Sequence, residues 1–332
     1  MSQQIFSNES YSIEPIRDQD KYAILEIRNE QLYHLRQPEP LTKEKQAHYF
    51  ETVVANLFEH EKPNQLLYSF FKKDAFIGYG GLVHINWIDK NAEISFVMQT
   101  ELEDKHFAKY WSNYLKLIEK VAFDELNFHK VFTYAFDVRP HLYEVLLDCG
   151  FKEEARLKEH CYFDNRFLDV VYHAKINRTI SCRKANESDM MSYLDWANDA
   201  TVRENSYQSK AITLQDHKDW FLNKLKDQNC QLLVFENHLN QAIGQVRIQV
   251  NSDRTAVIGI SNDREHRGKA YAAPMIAMAT DLFLKENAQL VVSAYIKTEN
   301  VASAKAFEKA GFVLDSTINY EGSPSYHYIK KI

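Results

Sequence analysis

The sequence predicts an α+β protein made of two copies of one fold, each a mixed, mostly antiparallel sheet flanked by helices. The first observation is an internal repeat with an offset of about 165 residues, which is the size of a domain. The second is the order of periodicities in each copy: a strand, two helices, a meander of strands, a helix, a strand, a helix and closing strands. The length of 332 residues also favours two domains.

A short segment recurs in both halves of the chain. Residues 41–50 match residues 212–221, and each copy begins with a threonine that can cap a helix. Three further matches keep the same order: Ile27-Arg28-Asn29-Glu30 with Trp196-Ala197-Asn198-Asp199, Ile77-Gly78-Tyr79 with Ile243-Gly244-Gln245, and Cys149-Gly150-Phe151 with Ala310-Gly311-Phe312. We place the domain boundary near residues 174–178, which gives domains 1–176 and 177–332.

Periodicity predicts the first elements of the second copy. Residues 189–199 and 213–226 have the spacing of amphipathic helices. Residues 230–236 and 241–250 have the alternation of strands, and His238-Leu239-Asn240 supplies a turn between them. The second copy therefore begins with helices followed by a hairpin.

The most informative stretch of the second copy is a strand, a basic turn and an alanine-rich helix. The strand is Ala256–Ile260, the turn is Arg264–Ala272, and the helix continues through Ala273–Ala279. Small residues in the turn let the backbone approach an anion, and the positive end of the helix dipole favours its charge. Pro274 is compatible with the first helical turn. This stretch predicts a site for a pyrophosphate.

Here the chain resembles the GCN5-related N-acetyltransferase (GNAT) family, whose acetyl-CoA loop reads Gln/Arg-x-x-Gly-x-Gly/Ala at the start of a helix. The segment 267–272 occupies that frame. Ala270 stands where the family usually has its central glycine, which is compatible with a negative φ or a slightly relaxed loop.

A second motif lies about thirty residues downstream. The strand Val291–Tyr295 is followed by Asn300–Phe312, which resembles the Asn-x-x-Ser helix and Gly-Phe strand entry of the same family. The resemblance implies an N-acetyltransferase that uses acetyl-CoA. The residues it implies for the cofactor are Ile260, Asn262, Arg267, Gly268, Lys269, Ala270, Tyr271, Ala272, Asn300, Ser303 and Phe307.

The two copies differ in chemistry. In the first copy we place the degenerate cofactor loop at His106–Trp111, which has no glycine, whereas Glu93 occupies the fourth-strand position that many family members use for a general base. The second copy has Val257 there. Three interpretations are open. In the first, the first copy is a degenerate domain that shapes the substrate site or serves assembly, and the second copy transfers acetyl. In the others, both copies are active, or the first copy is the catalyst and its cofactor loop lies a few residues away.

The candidates for acid–base chemistry are Glu93, His217 and Tyr295. His217 is a group with a pKa near neutrality, although its place on a predicted helix is also typical of a solvated face. The family's acid is a tyrosine at the position of Phe307, so Tyr295, Tyr271 or water must protonate the thiolate.

The acceptor is suggested by a further resemblance. Residues 195–221 with the hairpin segment 244–247 are similar to acetyltransferases acting on nucleotide-linked amino sugars, as in pseudaminic-type pathways of bacterial surface polysaccharides. The implied acceptor residues of the second copy are Trp196, Asn198, Arg203, Trp220, Gln245 and Arg247, and those of the first are His84 and Asn86. Alternatively the tryptophans are core residues and Asn198 a local cap. A protein N-terminal acetyltransferase and a non-catalytic CoA- or sugar-binding protein are the other interpretations.

Composition limits the remaining classes. The net charge is −6 and no lysine or arginine block is long, so we expect a small-molecule substrate and no nucleic acid. The four cysteines lack metal-ligand or CxxC spacing, which predicts reduced thiols and no metal. Without a leader or an apolar run of about eighteen residues, we expect a cytoplasmic protein with no membrane contact. The oligomeric state is open.

Overall fold

The computed structural model describes residues 4–35, 37–252 and 254–331, and the chain divides into two units, Met1–Asn177 and Arg178–Ile332. Each described unit has one sheet with helices on its two faces. Among the described residues, no helix has the length and apolar character needed to cross a bilayer.

The first unit has the predicted alternation of strands and helices. Its strands are β1 Phe6–Ser7, β2 Tyr11–Pro15, β3 Leu66–Lys72, β4 Ala75–Asn86, β5 Asn91–Met98, β6 Lys130–Phe136, β7 Lys152–Phe163 and β8 Arg166–Ile176. Its helices are α1 Lys21–Glu30, α2 Lys43–Tyr49, α3 Ala55–Leu57, α4 Thr100–Glu119 and α5 His141–Asp148. The strand order is β1-β2-β3-β4-β5-β6-β8-β7, and only the β5/β6 pair of this described sheet is parallel.

The second unit repeats this plan. Its strands are β9 Ile180–Lys184, β10 Cys230–Asn237, β11 Ala242–Val250, β12 Ala256–Asn262, β13 Val292–Lys297, β14 Val313–Tyr320 and β15 Ser323–Lys330. Its helices are α6 Met190–Asn198, α7 Ala200–Asn205, α8 Leu214–Lys226, α9 Ala272–Glu286 and α10 Val301–Lys309. The order is β14-β15-β13-β12-β11-β10-β9, again with one parallel pair, β12/β13, in the described sheet. The predicted helices and hairpin of this unit are confirmed within one or two residues.

The recurring segment has the same local structure in both units. Thr42 caps α2 by accepting from Lys45 N, and Thr213 caps α8 by accepting from Asp216 N. Each cap follows a residue whose backbone is held at both N–H and C=O by one upstream asparagine side chain. Asn29 holds Leu41 at 2.7 and 2.9 Å, and Asn198 holds Ile212 at 2.8 Å for both bonds. This repeated pair of hydrogen bonds fixes the backbone at the start of each capped helix.

Two apolar layers enclose each sheet. In the second unit, α9 and α10 pack on one face through residues such as Met275, Ile276 and Phe283, all nearly inaccessible to solvent. On the other face, α6 and α8 cover the β10 side through Tyr193 and Phe221, and α6 also contacts β12. The face around β12, β13 and β15 carries half-buried polar and aromatic side chains instead, and it contains the candidate site.

Candidate active site

The sheet of the second unit opens into a gap between two parallel strands. The register of β12 with β13 consists of Ala256 opposite Val292 and Val257 opposite Ser293. Beyond this point β12 continues to pair with β11, whereas β13 continues with β15. The two strands therefore diverge, and backbone polar groups along the gap are available to a ligand.

An anion-binding loop lies at the wide end of this gap. Residues 263–271 connect β12 to α9, and Asp263 caps their first turn by accepting from Glu265 N. Gly268 and Ala270 both have left-handed backbones, with φ of +73° and +61°. Alternation of left- and right-handed residues turns successive N–H groups toward one point, which favours an anion. A Cβ on Gly268 would have no described heavy atom within 4 Å, so the loop leaves this space open.

The conformation of Ala270 differs from the sequence-based expectation. A negative φ at this alanine would have removed any penalty, but the observed φ is +61°. A left-handed backbone costs an L-residue about 1–2 kcal/mol, because Cβ approaches the following carbonyl oxygen. The loop therefore keeps the backbone shape that the family builds with glycine, and Ala270 carries the strain.

In the first unit, the described residues between the strand and the helix do not form such a loop. Gln99 N donates to Ile77 O at 2.8 Å, as Asp263 N donates to Ile243 O at 2.9 Å, so Gln99 and Asp263 are equivalent. Gln99 alone joins β5 to α4, which begins at Thr100.

The predicted position of the first unit's cofactor loop is therefore wrong. His106–Trp111 lies inside α4, where Trp111 is buried against the sheet. The first turn of α4 instead carries Glu101 and Glu103, and Glu103 forms an ion pair with Arg139 at 2.9 Å. Two carboxylates at a helix N-terminus repel a pyrophosphate, whose charge has the same sign.

Glu93 lies at the start of the corresponding gap in the first unit. It is 5% exposed, and its Oε2 contacts His84 Nδ1 at 2.8 Å. It lines a cavity of 220 Å³ together with His34, Phe107 and Arg139. Burial lowers the pKa of His34 to about 3, so this histidine is neutral. The register places Val257 at the equivalent position of the second unit, as the sequence predicted.

Arg267 and Asn262 lie where β12 meets the loop. Arg267 donates to Asn262 O at 3.3 Å and forms an ion pair with Asp199 at 2.6 Å. The hydrogen bond from Arg267 lowers the pKa of Asp199, which also caps α7. The Asn262 Oδ1 atom is buried without a partner among the described residues. Asn262 Oδ1 is thus an unused acceptor at the end of β12, while much of the Arg267 charge is used inside the protein.

A cationic and aromatic surface extends from the gap along the open face. Arg247 lies on β11, with its guanidinium 5.7 Å from the ring of Trp220 and close to Gly259 on β12. Its Nε is buried and has no partner within the described chain, as is also true of Gln245 Oε1. Gln245 Nε2 donates to Ser261 Oγ at 3.3 Å. The two atoms without a partner, Arg247 Nε and Gln245 Oε1, are suited to a polar ligand.

Stacked rings form the other side of the open face. Tyr295 stacks on Tyr320 at 3.9 Å and on His327 at 4.7 Å between ring centroids, and Tyr207 packs edge-on against Tyr320. Burial raises the pKa of Tyr320, and the charge of Arg247 opposes this shift. Arg247 and the stacked rings thus act on one another across the same face.

Several predicted catalytic and cofactor side chains belong to the core instead. His217 is 2% exposed and donates from Nε2 to Met190 O at 3.0 Å, and burial lowers its pKa. It is neither a base in the cleft nor on a solvated face. Phe307 packs edge-on against Phe312 at 5.0 Å, and the ring of Tyr271 is 3% exposed, so both side chains are part of the core. Asn300 caps α10 by accepting from Ser303 N.

Four predicted acceptor residues form hydrogen bonds within the protein instead. Asn198 forms two hydrogen bonds with the backbone of Ile212. Trp196 is 6% exposed and donates from Nε1 to Asp263 Oδ2 at 3.1 Å, and Arg203 donates to carbonyl oxygens of the segment 208–210. Asn86 accepts from Ile88 N and Asp89 N in an exposed turn. Asn198, Arg203 and Asn86 thus bond to backbone groups, whereas Trp196 bonds to the carboxylate of Asp263.

The sequence reasoning missed three residues of the open face. Ser293, Tyr320 and His327 project from β13, β14 and β15 toward the predicted candidate Tyr295. Alternation along 313–330 was a signal for two strands, but it does not specify which residues lie opposite β13. That information comes only from the register, in which Tyr295 pairs with His327.

The splayed strands and the anion-binding loop define an acyltransferase fold suited to a CoA thioester. Two family models, both described as acetyltransferase (GNAT) domain, match residues 13–172 and 180–313. The chain belongs to the GNAT acetyltransferase family and carries two of its domains in tandem. The α+β fold and the class of enzyme predicted from the sequence, an N-acetyltransferase that uses acetyl-CoA, are confirmed at the level of this family.

Individual relatives are similar to parts of the chain. Spermidine N(1)-acetyltransferase of Vibrio cholerae serotype O1 is 34% identical over 97 residues, which are 28% of this chain and 53% of that protein. The chain thus spans about half the length of this relative. The V. cholerae spermidine N-acetyltransferase structure with CoA and spermine has a TM-score of 0.46 and 19% identity over 51% of this chain and 96% of that one. A structure of a probable acetyltransferase has a TM-score of 0.45 and 19% sequence identity, over 53% of this chain and 98% of that one.

Proposed function

We propose that the second unit, domain 177–332, transfers acetyl from acetyl-CoA to the amine of a small acceptor that also carries an anionic group. The observation that supports the transfer is the loop 263–271, with its two left-handed residues beside the gap. When bound, acetyl-CoA supplies the reactive thioester. The chain's part is to bind the pyrophosphate at the N–H groups of 268–272 and to hold the pantetheine along β12, near Ile260 and Asn262.

The class of acceptor is inferred from Arg247. A buried guanidinium N–H without a partner costs about 1–3 kcal/mol, and a phosphate or carboxylate of the acceptor would remove that cost. Trp220 offers a ring for a sugar or a base, and the unpaired Gln245 Oε1 accepts from a hydroxyl. A nucleotide-linked amino sugar has all three features. An amino-sugar acceptor is also the expectation from residues 195–221 of the sequence.

A polyamine is the second candidate acceptor. It is favoured by the 34% identity to a protein named spermidine N(1)-acetyltransferase. It is disfavoured by Arg247, because a polycation would bring like charges together on the open face without satisfying the buried N–H. The two candidates therefore predict opposite responses to removal of this one charge.

We propose that the first unit, domain 1–176, does not bind the pyrophosphate. Support comes from the direct connection of β5 to α4 and from the carboxylates in the first turn of that helix. In this interpretation Glu93 is a buried residue of a degenerate copy, paired with His84, and it takes no part in acetyl transfer.

Binding of acetyl-CoA is tested with one substitution at two sites. Gly268→Glu places a negative charge in the proposed pyrophosphate site, and we expect loss of binding in calorimetry with the full-length protein. Gly322→Glu is the matched control, because Gly322 is also exposed, has φ of +82°, and has no described heavy atom within 4 Å of the position that a Cβ would occupy. Equal affinities in the two variants would show that the pyrophosphate binds elsewhere.

The acceptor is tested by mass spectrometry on UDP-, dTDP- and CMP-linked amino sugars, N-terminal peptides and spermidine. We expect acetylation of a nucleotide-linked sugar, and we expect Arg247→Met to raise its KM by about 10- to 100-fold, since a charged hydrogen bond contributes about 1.5–3 kcal/mol. Acetylation of spermidine that improves in Arg247→Met would support the polyamine instead. Acetylated peptides, or CoA binding without any product, would contradict both.

A further inference from the structure

Ser293, His327 and Asp315 form a hydrogen-bonded chain on the open face of the second unit. Ser293 Oγ lies 3.0 Å from His327 Nε2, and Asp315 Oδ2 lies 3.2 Å from His327 Nδ1. With Nδ1–H donating to the carboxylate, Nε2 accepts from the serine hydroxyl. Ser293 is 6% exposed, and the His327 side chain is 19% exposed. The chain thus runs from the surface to a buried hydroxyl.

The fold places this hydroxyl at the point where the gap begins. Ser293 is paired with Val257 in the parallel ladder, after which the strands separate. Asp315 is the additional residue of a β-bulge between Leu314 and Ser316, and the bulge directs its side chain toward His327. Bulges are over-represented beside active sites, because they redirect a single side chain.

The first unit has different residues at the positions equivalent to Ser293, His327 and Asp315. Its register places Phe132 at the position of Ser293, Tyr172 at that of His327, and Glu154 at that of Asp315, which is again the additional residue of a bulge. The scaffold is otherwise shared: Lys175 donates to Cys149 O at 2.8 Å, and Lys330 donates to Ala310 O at 2.9 Å.

The side chains beside the gap that can accept a proton therefore differ between the two units. The first unit has Glu93 on β5 with the ring of Phe132 opposite it, whereas the second unit has Val257 on β12 with Ser293 on β13 and His327 on β15. Only the second unit combines a hydroxyl and an imidazole with the anion-binding loop in the described chain.

We propose that His327 is the general base of the second unit, acting through Ser293, with Asp315 as the positioning residue. This inference rests on the proposed function. The ammonium group of the acceptor gives one proton to Ser293 Oγ while the serine proton passes to His327 Nε2. The carboxylate of Asp315 stabilises the imidazolium that forms.

The remaining bonds balance without another reactant. The free amine attacks the thioester carbonyl carbon, so that a C–N bond forms and the C–S bond breaks. The second amine proton goes to the departing thiolate, which leaves as the thiol, and His327 releases its proton to solvent. The products are the amide, CoA and one proton.

The pH dependence is set by a small group of side chains. The titratable groups around His327 are Asp315 and Tyr320 on β14 and Tyr295 on β13, and Arg247 acts on Tyr320 from β11. A general base must be unprotonated before it can take the proton of the acceptor ammonium, so we expect kcat/KM of the wild-type protein to decrease on the acid side.

The kinetic test compares three variants of the full-length protein with the acceptor that the wild type acetylates. A general base contributes about 10²–10⁴ in rate, so His327→Gln should lower kcat at least 100-fold and remove the acid limb, with the affinity for acetyl-CoA unchanged. Asp315→Asn should show a smaller decrease in kcat, and imidazole should partly rescue His327→Ala. His238→Gln, in the β10–β11 turn of the same unit, is the control.

A readout independent of turnover uses protein labelled with ¹⁵N at histidine. We expect the His327 resonances to show a protonated, hydrogen-bonded Nδ1 at neutral pH, and Asp315→Asn to change that signal. A tautomer protonated at Nε2, or a kcat of folded His327→Gln within threefold of the wild type, would overturn the inference. Absence of transfer by the wild type would instead refute the proposed function, while the NMR result still decides the state of the relay.

Discussion

A pair of opposite substitutions tests the geometry of the anion-binding loop. Gly268 and Ala270 are both exposed and left-handed, and one is glycine while the other is alanine. A left-handed backbone costs an L-residue about 1–2 kcal/mol, whereas glycine costs about 0.4–1 kcal/mol in additional chain entropy on folding. Gly268→Ala should therefore destabilise the loop by about 0.5–1 kcal/mol, and Ala270→Gly should stabilise it by a similar amount.

The measurement is the thermal unfolding of the full-length protein. For a unit of about 150 residues, 1 kcal/mol shifts Tm by about 2–4 °C, so shifts of one to a few degrees in opposite directions are expected. The two units need not unfold together, and added CoA identifies the transition of the unit that binds it. Gly268 has free space around its Cβ position, so packing contributes nothing to its shift.

The outcome is decisive for the loop. If Ala270→Gly lowers Tm, or if Gly268→Ala raises it, these residues are not left-handed and the N–H cradle does not exist in this form. Calorimetry on the same proteins then relates the loop to its ligand. Ala270→Gly should bind CoA at least as tightly as the wild type.

Two further predictions concern other parts of the chain. Glu93→Gln should leave the acetyl-transfer rate unchanged in the acceptor assay, because Glu93 lies in the unit without the loop; a loss as large as that of Gly268→Glu would place catalysis in the first unit. Arg183 holds the pKa of Asp189 below its ordinary value, so this carboxylate stabilises the fold above about pH 4 and the contribution is lost as pH falls through the lower folded value. Asp189→Asn should therefore lower the free energy of unfolding at pH 7 in urea titrations, and the difference from the wild type should shrink toward pH 3; a constant difference would exclude this ion pair.

Features that depend on neighbouring residues were predictable from the sequence. The repeat, the capping threonines and the strand–loop–helix order of residues 256–279 all agree with the structure. Hydrophobic period and capping chemistry act over a few residues, and they leave their pattern in the chain directly.

The roles of polar side chains were less predictable. Asn198, His217 and Asn86 have residue types that bind substrates or protons, yet each is used by nearby backbone groups. Whether a polar atom is free depends on what packs around it, and a single sequence does not record this.

Local order in the chain determines that there are two acetyltransferase-type domains and where the loop of the second lies. Tertiary structure alone decides that this loop is absent from the first domain, and that Ser293, His327 and Asp315 meet across three strands. The physical reason is register: pairing of β13, β14 and β15, with one bulge, brings together residues up to 34 positions apart. A shift of one residue would turn each of these side chains to the opposite face of the sheet.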